Sequence, residues 1–180
     1  MVNVQDRRDA RHASHMNLLE RLTQLDRQLS TRLQIRRTGL LRSVLHTIAH
    51  TGDSVLWVAI LIGLVLAGQS DLAARAALVV GGLALIIGAL KLVFRRGRPS
   101  DENVRLYFRM DAHSFPSGHA ARTAGLAVLF SAFEPALSVA AVIWVVGVSL
   151  ARVWLGVHFV SDVVVGALIG VGVARVVVAL

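Results

Sequence analysis

The sequence contains no cysteine, which excludes disulfide bonds, thiolate metal sites and cysteine nucleophiles. Charged residues are also scarce, at 17% of the 180 residues, whereas 55% are hydrophobic. This balance is far too apolar for an ordinary soluble domain of this length. Polar alternation is absent from the Val-rich segments that begin at Val142 and Val163, so strands are not expected. The composition therefore indicates an all-α integral membrane protein.

The chain carries more basic than acidic residues, with 19 Lys and Arg against 11 Asp and Glu. The basic residues cluster in the N-terminal segment and in one loop, beside hydrophobic runs. We therefore expect no nucleic acid partner, and instead anionic membrane lipids or a phosphorylated substrate. The sequence leaves a homo-oligomer open. No cleavable signal peptide is expected, because residues 1–15 are polar with no apolar run behind them.

Three regions follow from the apolar pattern. Residues 1–16 are expected to be a disordered segment or the remnant of an expression tag. Residues 17–38 are predicted to form an amphipathic helix. This helix would lie at the membrane surface, or it would pack on the bundle or on a second subunit. Its leucines recur at spacings of three and four, at Leu18, Leu22, Leu25, Leu29 and Leu33. Residues 39–180 predict one transmembrane domain.

The transmembrane domain is predicted to contain about five membrane-spanning helices, each needing about 20 residues. The apolar runs cover residues 55–67, 71–94, 118–133, 136–155 and 159–180. The first run is short and follows a helix over 39–50, from which a break at 51–54 separates it. Asp53 or Ser54 is a candidate N-cap there. If each run crosses once, the polar ends of the last four runs meet at one membrane face.

A polar turn, Pro-Ser-Gly-His at residues 116–119, opens directly into the third run. The Ser117-Gly118 pair allows the backbone to approach a ligand closely. The first amides of the following helix lack intrahelical partners and attract anions. The turn therefore resembles half of a phosphate cradle.

Arg152, His158 and Asp162 lie in or beside otherwise apolar sequence, where an unpaired ionisable group would cost several kcal/mol. His158 and Asp162 are four residues apart, so on a helix they would share a face. The carboxylate could then hold one imidazole nitrogen and leave the other as a nucleophile. On an unbroken helix Arg152 and His158 would lie about 120° apart, and Gly156 offers a break that lets both face one pocket.

These groups together form a cationic, donor-rich site that matches a phosphoryl group. The donors are the side chains of Lys91, Arg98, Arg152 and Ser117 and the amides of Gly118 and His119. Fixed donors of this kind can stabilise a five-coordinate transition state without a metal. His119 then has the position of a general acid for the leaving oxygen. We expect no cofactor and no metal.

Three segments carry a family resemblance: K-x6-R-P from Lys91 to Pro99, P-S-G-H at 116–119, and R-x5-H-x3-D from Arg152 to Asp162. In this order they resemble the signature motifs of the type 2 phosphatidic acid phosphatase superfamily, which shares its core with the vanadium haloperoxidases. The resemblance spans residues 91–162. A soluble haloperoxidase is disfavoured because this chain is so apolar.

The resemblance implies a phosphohistidine mechanism. His158 would attack phosphorus, Asp162 would orient it, and His119 would protonate the leaving group. The phosphate would be bound by Lys91, Arg98, Ser117, Gly118 and Arg152. One departure from the family pattern is Ala151, which stands where a serine often precedes Arg152.

The resemblance implies a metal-independent lipid phosphatase, acting on a polyprenyl phosphate or diphosphate, phosphatidic acid or phosphatidylglycerol phosphate. Two alternatives stay open: a phosphotransferase with a lipid or sugar acceptor, and a non-catalytic protein that binds or transports lipid phosphates. The expected location is the bacterial cytoplasmic membrane, with the side of the active site left open.

Other charged residues have structural interpretations. A solvated basic loop is at least as good an interpretation of Arg95 and Arg96 as headgroup binding. His46 and His50 are four residues apart and could bind a metal, but a structural role is favoured.

Overall fold

A computed structural model of the protein describes residues 17–35, 39–99 and 113–180. The expectation for residues 1–16 lies outside these residues, as does most of the polar loop between the apolar runs 71–94 and 118–133. Within them the chain is all-α, as predicted, and contains no strand. The helices are α1 (Leu18–Leu33), α2 (Leu40–His50), α3 (Ser54–Leu66), α4 (Ser70–Phe94), α5 (Gly118–Phe133), α6 (Ser138–Trp154) and α7 (Val160–Ala179).

Each apolar run predicted to cross the membrane is a helix, but the count of five spans is not confirmed. In the described part of the chain three segments are long and apolar enough to cross: α4, α7, and α6 together with the short 3-10 turn Pro135–Leu137 before it. The α2 and α3 helices add a fourth if they form one span that bends by 50° at residues 51–53. Helix α5 has only 16 residues and lies mostly buried among the other helices.

The outer surface of the bundle is apolar and its interior is rich in small residues. Leu85, Val139 and Leu168 are exposed over 77%, 72% and 66% of their surfaces. Ala76, Ala121 and other small side chains are instead buried at helix contacts. This distribution suits a protein surrounded by lipid tails, because helix packing in a membrane relies on close contact between small residues.

Helices α5 and α7 approach each other backbone to backbone at two glycines of α7. A Cβ atom on Gly170 would overlap the carbonyl oxygen of Ala121, and one on Gly166 would overlap the carbonyl oxygen of Ser117. On the same helix, Gly172 has nothing within 4 Å of its would-be Cβ. The glycines therefore set the spacing of α5 and α7.

Helix α1 contacts the bundle with its polar side. It starts with a capping box in which Asn17 and Glu20 bond each other's backbone amides. The Ser30 hydroxyl accepts from the amide of Val160 at 3.0 Å, and Asp26 accepts from the amide of Ser161 at 3.1 Å. These two residues thus satisfy the first amides of α7, which have no intrahelical partner.

The leucines predicted for the apolar side of α1 are exposed, Leu18 by 72% and Leu33 by 36%. Helix α1 therefore packs against the bundle, which is one of the two expected arrangements, and it does so with its polar side. The location of α1 at the membrane surface stays a prediction.

Replacing Gly170 with alanine should destabilise the protein by about 2 kcal/mol or more, since the new methyl group must displace a helix backbone. The midpoint of thermal unfolding in detergent, followed by circular dichroism, should fall by about 4–8 °C. The matched control is Gly172→Ala on the same helix, which should not lower the midpoint. An equal midpoint for the two variants would contradict the close contact.

Candidate active site

The Pro-Ser-Gly-His turn is fixed at the start of α5 and tied to α7. Ser117 is the N-cap of α5, and its hydroxyl accepts weakly from the amide of Ala120 at 3.4 Å. Its own amide donates to the carbonyl oxygen of Asp162 at 2.9 Å. Ser117 is fully buried, and Gly118 is the first residue of α5. The proposed cradle thus lies directly against the first turn of α7.

Arg152 and His158 face one another across the break between α6 and α7. Helix α6 ends at Trp154, and Gly156 has the left-handed φ of 69° that reverses the chain. As a result Nη2 of Arg152 lies 3.4 Å from Nε2 of His158. Both side chains are 1% exposed. The break expected at Gly156 is therefore present, and it brings the two groups together.

His158 and Asp162 are also neighbours, but not because they share a helix face. His158 precedes α7, whereas Asp162 lies in its first turn. The Oδ2 atom of Asp162 accepts from the amide of Phe159 at 2.9 Å and lies 3.6 Å from Nδ1 of His158. Among the described residues this nitrogen has no hydrogen-bond partner. A small rotation of the imidazole would complete the bond.

Cations surround His158. Lys91, at the end of α4, and Arg98 are each 8% exposed, and Nη1 of Arg98 donates to the carbonyl oxygen of Val157 at 3.3 Å. His158 lies between the candidate spans, and burial lowers its pKa well below the usual 6.5. The positive charges of Arg152, Arg98 and Lys91 lower this pKa further. Both effects favour the neutral imidazole, which keeps a lone pair on one ring nitrogen.

His119 faces a residue that the sequence analysis placed only as a cap. Its Nε2 atom lies 2.6 Å from Oδ1 of Asp53. Asp53 occupies the N-cap position of α3 but makes no capping hydrogen bond. Its other oxygen lies 2.6 Å from Nδ1 of His50. Asp53 is therefore the N-cap residue, as one of the two predicted candidates, but its carboxylate contacts two imidazoles and does not bond the amides of α3.

Arg96 also differs from expectation, since it is part of the site and not of a solvated loop. It donates from Nη1 to Oδ1 of Asp162 and from Nη2 to Oδ2 of Asp26, both at 2.7 Å. Its guanidinium carbon lies 4.0 Å from the ring centroid of Phe159. Ser161 bonds the same pair, accepting from Arg96 at 2.7 Å and donating to Asp26 at 2.5 Å. Arg96 thus connects α1 to the carboxylate beside His158.

The structure brings all of the predicted site residues to one end of the bundle. Lys91, Arg98, Arg152 and Asp162 surround His158, while Ser117, Gly118 and His119 start the helix that packs against it. Sequence reasoning missed Asp53, although an acidic residue at a break between apolar helices is itself a functional signal in membrane proteins. It also missed Asp26, which nothing distinguishes from the other polar residues of α1.

An open cavity of about 520 Å³ borders Asp53 and His50, with Val55, Leu56 and Ala59 among its apolar walls. It does not include His158. Over the residues that the structure describes, no group of three or more His, Asp or Glu side chains could hold a metal ion. The metal site considered for His46 and His50 therefore gains no third ligand here.

Comparisons with known proteins agree with this geometry. The crystal structure of the first transmembrane PAP2 type phosphatidylglycerolphosphate phosphatase from Bacillus subtilis is 28% identical, with a TM-score of 0.74. That match covers 92% of this chain and 87% of the other. Aquifex aeolicus LpxE is 26% identical, with a TM-score of 0.71, over 85% of this chain and 94% of its own.

The family model of the PAP2 superfamily matches residues 72–180, more than half of the chain. This range contains all three motifs and every predicted site residue. The two structural matches, which cover 92% and 85% of this chain, extend the similarity to the helices that precede it. The protein therefore belongs to the PAP2 superfamily, as an integral membrane protein of the lipid phosphatase type.

Proposed function

We propose that this protein hydrolyses a lipid phosphate through a phosphohistidine on His158. The observation that carries the proposal is the placement of His158, whose Nε2 faces Arg152 while its Nδ1 faces Asp162. A neutral imidazole held between a guanidinium and a carboxylate has one nitrogen directed at an anion site and the other directed at a proton acceptor.

In the first step Nε2 of His158 attacks phosphorus, and the bond from phosphorus to the lipid oxygen breaks. Lys91, Arg98 and Arg152 stabilise the charge on the phosphoryl oxygens, and the amides at the start of α5 add further donors. His119 gives a proton to the lipid oxygen as it leaves. Asp162 accepts a hydrogen bond from Nδ1 of His158 and stabilises the imidazolium that forms.

In the second step water attacks the phosphohistidine and the bond from phosphorus to nitrogen breaks. His119, which lost its proton in the first step, takes one from this water. Inorganic phosphate leaves, and His158 returns to its neutral form. The atoms and protons balance without a further reactant. The cycle assigns no role to a metal or cofactor.

The substrate is proposed to be a phosphomonoester or diphosphate of a lipid, such as a polyprenyl phosphate or diphosphate, phosphatidic acid or phosphatidylglycerol phosphate. Similarity to a phosphatidylglycerolphosphate phosphatase supports the last of these without selecting it. The exposed leucines and valines of the bundle support entry of the lipid tail from the membrane. The proposed location is a bacterial cytoplasmic membrane, with membrane lipids as neighbours.

Replacing His158 with alanine should lower phosphate release from a lipid phosphate panel by about 1,000-fold or more, because the nucleophile is lost. The assay in detergent should also show inhibition by vanadate and full activity in EDTA. The matched control is His46→Ala, which should stay within about twofold of the natural protein. Full activity of the His158 variant would refute the proposal, and loss on chelation that magnesium restores would refute its metal-free form.

The alternatives give different products in the same experiment. A phosphotransferase would form a phosphorylated acceptor when candidate lipid or sugar acceptors are added, at the expense of inorganic phosphate. A non-catalytic binding or transport protein would release no phosphate from any lipid in the panel. An acid-labile radioactive phosphoryl label on the protein, absent from the His158 variant, is the expected sign of the phosphohistidine.

Replacing Arg96 with lysine should lower kcat by about 10-fold with little change in KM, because an ammonium group cannot bridge the carboxylates of Asp26 and Asp162 in the same fork. Steady-state kinetics on one lipid phosphate provide the measurement. The neighbouring variant Arg95→Lys is the matched control, since Arg95 is exposed and its Nε atom donates to the carbonyl of Leu92 on its own helix turn. Equal kcat values for the two variants would show that Arg96 does not position Asp162.

A further inference from the structure

The site contains a second histidine, His119, with the carboxylate of Asp53 beside it. None of the three motifs contains this aspartate. We propose that Asp53 is the positioning residue of the proton donor: it holds the ring of His119 and stabilises its protonated form until the proton is transferred. This inference rests on the phosphatase reaction proposed above. It adds to that reaction a residue outside the matched family region of 72–180.

The first observation is that the side chain of Asp53 does not cap α3, although Asp53 occupies the N-cap position. At an N-cap position an aspartate ordinarily accepts from the amides of the following turn. Here the carboxylate instead contacts His119, 66 positions away in the sequence, at 2.6 Å. Such a short distance is typical of a charge-assisted hydrogen bond. The side chain of His119 is 8% exposed and that of Asp53 is 34% exposed, so the bond is largely shielded from water.

The second observation is that three helices fix the segment that carries Asp53. The indole nitrogens of Trp57 on α3 and Trp144 on α6 donate to the carbonyl and the hydroxyl of Thr51, at 2.9 and 2.8 Å. Arg122 on α5 donates from Nε to the carbonyl of Gly52 at 3.0 Å. Residues 51–53 are therefore held as a rigid support and do not behave as a loose connection between α2 and α3.

The third observation fixes the orientation of the His119 ring. A Cβ atom on Gly52 would lie 3.0 Å from Cδ2 of His119, so the close approach depends on glycine. The ring edge formed by Cδ2 and Nε2 thus faces residues 52 and 53. The opposite edge carries Nδ1, which is the nitrogen left to deliver a proton to the leaving oxygen.

The chemistry follows from this orientation. When the bond from phosphorus to the lipid oxygen breaks, the N–H bond at Nδ1 of His119 breaks as well, and its proton goes to that oxygen. The electron pair stays on the ring, which becomes neutral. The hydrogen at Nε2 stays bonded to Asp53. The carboxylate therefore keeps a hydrogen on Nε2 in both states of the ring. Nδ1 carries a hydrogen when the ring is charged and a lone pair when it is neutral, as in other sites where an aspartate orients a histidine for proton transfer.

The site then contains two histidines that each face a carboxylate. Asp162 serves the histidine that attacks phosphorus, and Asp53 serves the histidine that protonates the leaving group. Asp162 lies in the first turn of α7, whereas Asp53 lies in the bend between α2 and α3. Their loss should therefore have different kinetic signatures.

The test compares two substrates with equal tails and different leaving groups: dodecyl phosphate, whose alkoxide needs protonation, and 4-dodecyl-2-nitrophenyl phosphate, whose phenolate does not. The measured quantity is kcat/KM, which covers the steps up to departure of the leaving group. For Asp53→Asn we expect a fall of about 100-fold on the alkyl substrate and no more than about fivefold on the aryl substrate. The double variant with His119→Ala should be no slower than His119→Ala alone, because Asp53 acts through that ring.

Asp71→Asn, at an exposed aspartate on α4 paired with Arg75, is the matched control for loss of one negative charge. This variant should leave kcat/KM unchanged on both substrates. An equal fall on both substrates, no fall at all, or a double variant well below His119→Ala would overturn the role of Asp53. Inhibition by vanadate checks that the phosphate site of Asp53→Asn is intact. If it is lost, Gly52→Ala replaces that variant, and the same leaving-group dependence is required.

The outcomes also separate this inference from the proposed function. If the natural protein hydrolyses neither substrate, or if His158→Ala keeps full activity, then the phosphatase mechanism itself fails. If the natural protein is active and His158 is essential, an equal loss on both substrates in Asp53→Asn rejects only the positioning role.

Discussion

The contact between the backbones of α5 and α7 is the constraint on which the site depends. Gly166 and Gly170 let the carbonyl oxygens of Ser117 and Ala121 approach a distance that no side chain would permit. The amide of Ser117 then reaches the carbonyl of Asp162 at 2.9 Å. The Pro-Ser-Gly-His turn and the carboxylate beside His158 are thus parts of one packed unit. Their relative position follows from van der Waals contact, which is stiff, and not from charge attraction, which is long-ranged and soft.

A second constraint is the burial of charge inside an otherwise apolar protein. Lys91, Arg98 and Arg152 are at most 8% exposed, and Asp162 is fully buried. Moving such groups out of water is unfavourable by several kcal/mol each unless partners compensate. Arg98 donates to the carbonyl of Val157, and Asp162 accepts from Arg96 and from the amide of Phe159. In the proposed reaction the phosphoryl group is a further partner of the cations.

Much of this arrangement could be predicted from the sequence, because hydropathy places helix ends and motifs place residues on those ends. Lys91, Ser117, Arg152 and His158 lie where the order of apolar runs predicted them. The break at Gly156 was also predictable, since Arg152 and His158 could not otherwise face one pocket. What could not be predicted were contacts that depend on the angle between helices. Asp53 reaches His119 only because α2 and α3 bend by 50°, and no spacing in the sequence specifies that bend.

The number of membrane spans was also only partly predictable from the sequence. Hydropathy identified α5 as a membrane helix, yet its 16 residues are short, and most of its side chains contact protein. A helix surrounded by other helices does not need to match the thickness of the lipid, because its ends are covered by neighbouring polypeptide. Length and composition therefore predict membrane-spanning helices well when the helices face lipid, and less well when they are surrounded by protein. The central helix of the site is of the second kind.

The contact of Asp26 and Ser30 with the first turn of α7 has a consequence for the order of assembly. These residues are separated from their partners by 135 and 130 positions, so translation of α1 is finished long before α7 exists. Until α1 docks, the amides of Val160 and Ser161 lack these acceptors, and Arg96 lacks one of its two carboxylates. Contacts this distant in sequence form late in folding, because the long intervening chain must close first. The contacts of α1 with Arg96 and with the first turn of α7 are therefore expected to be among the last to form.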